Sequence, residues 1–163
     1  MAVTAQMVKE LREATGAGMM DCKKALTEAD GNMERAVDIL REKGLSKAAK
    51  KADRVAAEGL VTIKTNADNT LAAVVEVNSE TDFVAKNQDF KDFVADVAEM
   101  VLEGDAADLD ALLASNHKEG KALKDVLNDR VATIGEKLDV RRFERISTKG
   151  KVAGYIHGGG TVS

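Results

Sequence analysis

The 163-residue sequence has no proline and no tryptophan, a single cysteine, two histidines, and only 3% aromatic residues. One cysteine, Cys22, excludes an internal disulfide, and His117 with His157 cannot supply the ligand spacing of a zinc module. No cofactor is expected. The longest unbroken apolar run, Leu71 to Val75, is far short of a membrane span, and the N-terminus lacks a basic segment followed by an apolar stretch. These absences predict a cytoplasmic chain with no membrane contact. The formal net charge of -4, from 24 basic and 28 acidic residues, argues against a nucleic-acid binder that gains its affinity by neutralising phosphates. The expected partners are proteins.

Hydrophobic residues make up 44% of the chain, enough for a packed core, but that core must rest on Leu, Val, Ile, Ala and Met. Without proline, glycine is the main breaker. Met7, Leu11 and Ala14 recur at helical spacing after a candidate Thr4 cap, and Gly16-Ala17-Gly18 ends the run. Cys22, Ala25, Leu26 and Ala29 mark a second buried stripe. Met33, Ala36, Val37 and Leu40 mark a third, which is expected to stop at Gly44. Faces this small can bury only one another, so residues 1–44 read as a three-helix module. Residues 45–58, rich in Ala and Lys, read as a helical connector, and residues 59–163 as an α+β core.

Within that core, Val61, Ile63 and Thr65 alternate, Asn66 to Asn69 reads as a turn, and Leu71 to Asn78 returns as a second strand. Phe90, Phe93, Val94, Val97 and Val101 predict an amphipathic helix ending near Gly104. A short helix around Leu109 to Leu113 and a longer one through Ile134, closed by Gly135, follow. Leu138 to Ser147 and Lys151 to His157 flank Lys149-Gly150 and predict a second hairpin. The fold class is therefore α+β, with an antiparallel sheet packed by helices.

Catalytic templates fail one by one. Gly16-Ala17-Gly18 begins a dinucleotide fingerprint, but Asp21 stands where its third glycine belongs and a helix precedes it. No phosphate-cradling P-loop occurs. His157-Gly158-Gly159-Gly160 resembles an esterase oxyanion loop, yet the nearest nucleophile elbow, Gly44-Leu45-Ser46-Lys47-Ala48, lacks its second glycine. Cys22 lies on a buried stripe, as a packed small hydrophobe does. The basic cluster Lys47, Lys50, Lys51 and Arg54 reads as a solvated helix face. An enzyme is not expected.

One stretch resists sorting. "NSETDFVAKN", Asn78 to Asn87, sets Phe83, one of four phenylalanines, beside Asp82 in polar surroundings. Thr81 or Asp82 capping a short helix, with Phe83 and Val84 tucked beneath, is one reading. A ring protruding beside a carboxylate to enter a partner's pocket is the other. Local physics leaves both open.

Four motifs, "VKELREATGAGMMDCKKAL" (Val8 to Leu26), "TDFVAK" (Thr81 to Lys86), "IGEKLDVRR" (Ile134 to Arg142) and "GYIHGG" (Gly154 to Gly159), occur in that order. Together they resemble the bacterial translation elongation factor Ts family, the guanine nucleotide exchange factors of the GTPase elongation factor Tu. The resemblance implies an N-terminal ubiquitin-associated-like three-helix domain followed by the α+β core. It implies that Phe83 wedges into the partner's nucleotide domain while Asp82 perturbs the network around its magnesium site, with Thr81 and Val84 beside them. Arg12, Met19, Met20 and Lys23 match positions through which the N-terminal domain grips the same GTPase, and Ile134, Gly135 and His157 match further core contacts. Passive polypeptide binding by the three-helix domain, without exchange, is the alternative. Longer members continue past the glycine segment with a second core subdomain and often a helical dimerisation module. Neither is present before Ser163, so the chain reads as a fragment or a shortened form, and no homodimer is predicted from it.

Overall fold

The computed structural model describes residues 2–161. Met1, Val162 and Ser163, the outer limits of the first and last expected segments, lie outside the described residues. The chain divides into two compact units. One runs through Asp53 and includes Asn128–Glu136; the other comprises Arg54–Leu127 and the chain from Lys137 onward.

The first unit is built on three helices, α1 (Ala5–Thr15), α2 (Met19–Glu28) and α3 (Met33–Ala49). Thr4 caps α1 as expected, its Oγ1 accepting the Met7 N–H at 3.2 Å, and Gly16 ends it in the left-handed region with φ 68°. The unit closes over Val8, Leu11, Cys22, Ala25, Leu26, Ala29, Ala36 and Ile39. Two stripes are rotated from their expected positions. On α1 the buried arc turns from Leu11 toward Val8 and leaves Ala14 exposed; on α3 it turns from Ala36 toward Ile39 and leaves Val37 at 40% exposure.

The expected stop at Gly44 does not occur. Gly44 is absent from the positive-φ glycines and is buried inside α3, where an added Cβ would meet Ala132 Cβ at 3.6 Å. It serves close packing, and the Ala- and Lys-rich residues after it, good helix formers, carry the same helix on to Ala49. Residues 45–58 therefore hold no helix of their own: 45–49 complete α3, 50–53 turn, and the chain then enters β1.

The second unit holds an antiparallel sheet in the order β1 (Glu58–Thr65), β2 (Leu71–Ser79), β3 (Leu138–Ser147). The first hairpin forms as expected, pairing Leu60 with Val77 and Ile63 with Val74. Asn66 sets its turn, with Oδ1 accepting the N–H groups of Thr70 and Leu71. The described residues add α4 (Asp82–Lys86), α5 (Gln88–Glu103), α6 (Leu109–Ala114) and α7 (Leu123–Ile134), the last of which passes into the first unit from Asn128 on. Helix α5 lies against β1 and β2 and buries Phe90, Phe93, Val94, Val97, Ala98, Val101 and Leu102. This is the face that its periodicity predicts. The α+β class is thus observed.

The second expected hairpin is not. β3 pairs with β2, while residues 151–156 form no strand and pass beside β1: Val152 N–H donates to the Asn69 carbonyl, and Val61 N–H donates to that of Gly160. The outer edge of β1 has backbone groups in need of partners, and a chain broken by Gly154 and Gly158 to Gly160 supplies a few without a regular ladder.

Candidate functional site

The segment that leads from β2 into α4 is tied down on both sides. Asn78 Nδ2 donates to the Glu58 carbonyl at 3.1 Å and to Glu76 Oε1 at 3.2 Å. Ser79, fully buried, donates through Oγ to the Thr81 carbonyl at 3.0 Å. Glu80 Oε1 accepts the Lys137 N–H at 2.6 Å and faces Arg54 Nη1 at 3.3 Å. The backbone is thereby ordered before the helix begins.

Thr81 is extended, with φ -124° and ψ 155°, and its Oγ1 accepts the Val84 N–H at 3.4 Å. Of the two candidate caps, Thr81 and Asp82, it is Thr81 that caps the helix. Helix α4 is five residues long and seats itself by Ala85, which is buried, and Val84, which is half-buried. At about 100° per residue, Phe83 stands roughly 200° from Ala85, on the opposite side of the turn. Its side is solvent, and the residue is 81% exposed. Of the two readings of this stretch, the ring tucked beneath its own helix is excluded.

Asp82 opens α4 beside that ring. Lys86 Nζ donates to its Oδ2 at 2.6 Å, an i, i+4 pair on the exposed face. That hydrogen bond, and then the lysine's charge, holds the Asp82 carboxyl below the usual carboxylate range, and the same contact raises the Lys86 ammonium above its ordinary value. At neutral pH Asp82 is an anion. The site thus offers an apolar ring and a carboxylate side by side on a seated turn of helix.

Three of the four N-terminal candidates lie on α2. Met19 and Met20 are 59% and 63% exposed at its first turn, and Lys23, one turn on, is exposed too, while Cys22, Ala25 and Leu26 are buried. Burial pushes the Cys22 thiol above its ordinary pKa, consistent with a packed side chain. Arg12 is exposed in the last turn of α1, and its carbonyl accepts the Gly16 N–H. Ile134, half-buried at the end of α7, and Gly135, which turns the chain at φ 89°, also belong to this first unit. The gathering of Thr81 to Val84 is local to the second unit, where His157 is also exposed, on the chain that passes β1.

Three contributors escaped the sequence reading. Lys86 was legible as the i+4 cation to Asp82. Tyr155, the only tyrosine, places Oη 3.0 Å from His157 Nδ1, at a spacing of two residues. Glu80 carried no local signal, because its partners Arg54 and Lys137 are 26 and 57 residues away. For the esterase reading, Ser46 lies inside α3 and so forms no strand-to-helix elbow. No helix of the described residues is long and apolar enough to cross a membrane, and none of their His, Cys, Asp and Glu side chains cluster to hold a metal ion.

Comparison with known proteins bears on the same residues. The family model described as Elongation factor TS matches residues 80–163, a span that begins just before Thr81 and includes His157. Elongation factor Ts of Clostridioides difficile (strain 630) is 72% identical over 160 residues, covering 98% of this chain and 53% of that protein. The chain thus spans about half the length of this relative.

Proposed function

The chain belongs to the elongation factor Ts family, and from that premise we propose that it binds the GTPase elongation factor Tu and promotes release of GDP. No covalent step is involved. A GTPase holds its nucleotide through a phosphate cradle and a magnesium ion. A protein that binds better when those elements are displaced must weaken nucleotide affinity by the same coupling factor. Phe83 supplies volume that displaces, and Asp82 supplies a charge that competes for the groups around the magnesium ion. Met19, Met20, Arg12 and Lys23 give the helical N-terminal region a second grip, in which flexible thioethers adapt to the partner's surface. Ile134, Gly135 and His157 add weaker contacts.

The observation that carries this reading is Phe83, a large apolar ring left 81% exposed at the crest of a capped helix on an ordered approach. Such a ring contributes little to its own fold, whereas aromatic anchors of this kind dominate partner interfaces. The test is release of a fluorescent GDP analogue from elongation factor Tu in excess unlabelled GDP. Adding the chain is expected to hasten release. Binding with release unchanged from the spontaneous rate would leave only the passive polypeptide-binding alternative.

A further inference from the structure

We propose that Tyr155 is a positioning residue for His157, fixing the imidazole so that its Nε2–H points outward as a hydrogen-bond donor to an acceptor on the partner GTPase. The proposal rests on the exchange reading for its partner, but its geometry stands independently. Tyr155 and His157 are two residues apart, the spacing that puts side chains on one face of an extended chain. Tyr155 Oη lies 3.0 Å from His157 Nδ1, and the ring centroids are 6.1 Å apart. Both residues are exposed, Tyr155 at 72%.

The backbone beneath them is held. Val152 N–H donates to the Asn69 carbonyl at 2.7 Å, and Val61 N–H donates to the Gly160 carbonyl at 2.7 Å. Between these anchors Gly154 passes so close to Ile63 that a Cβ would meet Cγ2 at 3.0 Å. Gly160 N–H donates back to the His157 carbonyl at 3.2 Å. The chain is therefore ordered while the two rings project from it.

A phenol is a good O–H donor, and a neutral imidazole has one bare ring nitrogen that accepts. Donation from Tyr155 Oη to Nδ1 makes Nδ1 the bare nitrogen and leaves the proton on Nε2. The bond made by one ring nitrogen thus sets what the other presents. An acceptor such as a carbonyl or carboxylate oxygen is the matching chemistry on the partner. Without the phenol, the ring is free to rotate and to exchange tautomers.

The experiment uses the full chain with Tyr155→Phe, His157→Ala and the double variant. The phenylalanine keeps the ring and removes only Oη. NMR of the imidazole nitrogens, at a pH where the ring is neutral, is expected to show Nε2 protonated in the parent and a mixture of tautomers in Tyr155→Phe. GDP release is expected to slow about fivefold in Tyr155→Phe, the loss of one ordinary hydrogen bond. The double variant is expected to be no slower than His157→Ala, because Tyr155 acts only through the imidazole. An unchanged tautomer ratio, or losses that simply add, overturns the proposal. If the parent chain itself leaves release at the spontaneous rate, the exchange reading fails, and the nitrogen resonances alone decide the role of Tyr155.

Discussion

Replacing Phe83 by alanine separates what the ring does for this fold from what it does for a partner. Burying a phenylalanine side chain is worth about 1.5–3 kcal/mol. With 81% of the residue exposed, only about a fifth of that, roughly 0.3–0.6 kcal/mol, is at stake in folding. Alanine's better helix propensity in α4 offsets part of even this loss. A chain of this size shifts its Tm by about 2–4 °C per kcal/mol, so Phe83→Ala is expected to melt within about 2 °C of the parent. If a pocket on the partner buries the remaining four-fifths, about 1.2–2.4 kcal/mol is lost there. Nucleotide release is then expected to slow between about 8-fold and 60-fold at subsaturating chain. Stopped-flow release of fluorescent GDP, run beside a calorimetric melt, reads both quantities. Leucine at the same position restores part of the rate. A melt lowered by about 10 °C, or release as fast as the parent's, would refute the assignment of the ring to an external pocket.

Asp82→Asn is expected to slow release with little change in Tm, because its ion pair with Lys86 is exposed. The carboxyl of Asp82 is depressed by Lys86, so any stability from this pair is present above the ordinary carboxylate value and fades only as pH falls through the lower folded value. On the alkaline side it fades as pH rises through the raised folded value of Lys86. Lys86→Met should move the Asp82 titration back up toward the ordinary range, as carboxyl-carbon NMR would register. Gly59→Ala is expected to destabilise the second unit by at least about 3 kcal/mol in urea titration, since its φ is 135° and a Cβ would lie 2.2 Å from the Val77 carbonyl oxygen. Gly159→Ala, also left-handed but with nothing within 4 Å of the added carbon, should cost only about 1–2 kcal/mol. Native Cys22 should react with a maleimide only as fast as the helical unit opens, and at full thiol rates once urea unfolds it.

The parts of this fold that were legible from sequence are those whose causes are local. Thr4 and Gly16 bracket α1 because each satisfies a helix end from within four residues. The period-two alternation of Val61, Ile63 and Thr65 and the apolar spacing of α5 needed no distant partner to be recognised. The errors share a cause as well. Gly44 resembles a helix stop until Ala132, 88 residues later in the chain, supplies a reason for a small residue inside a helix. Lys149-Gly150 resembles a hairpin turn, but β2 claims one edge of β3, and the outer edge of β1 takes contacts from the chain that follows. The rotated stripes on α1 and α3 are the same lesson at finer scale: composition marks an arc, and the neighbouring helices choose its centre. At the candidate site, Thr81, Asp82 and Phe83 were singled out as candidates by residue type, order and resemblance, but the ring's exposure was not legible. It depends on Ala85 and Val84 being the residues that α4 buries.

That choice of buried face lets so short a helix hold a large ring out to solvent. Five residues are far too few to form a stable helix in water, because nucleation costs more than one or two hydrogen bonds return. α4 exists because its ends are fixed from outside it: Thr81 caps one end, Asn87 leads directly into α5 at the other, and Ala85 seats the middle. The strand before it is held through Asn78, Ser79 and Glu80. Ordering of the backbone under Phe83 is therefore completed on folding, and a partner need not supply it. Interfaces lose about 0.5–1.5 kcal/mol for each rotamer-rich side chain they immobilise, and a phenylalanine on a fixed turn has few rotamers to lose. More of the contact energy remains for displacing the partner's own groups. Met19 and Met20 are the opposite case, long flexible side chains that adapt and lose more entropy in doing so. If both surfaces meet the partner as proposed, the methionines suit holding and the fixed ring suits prying.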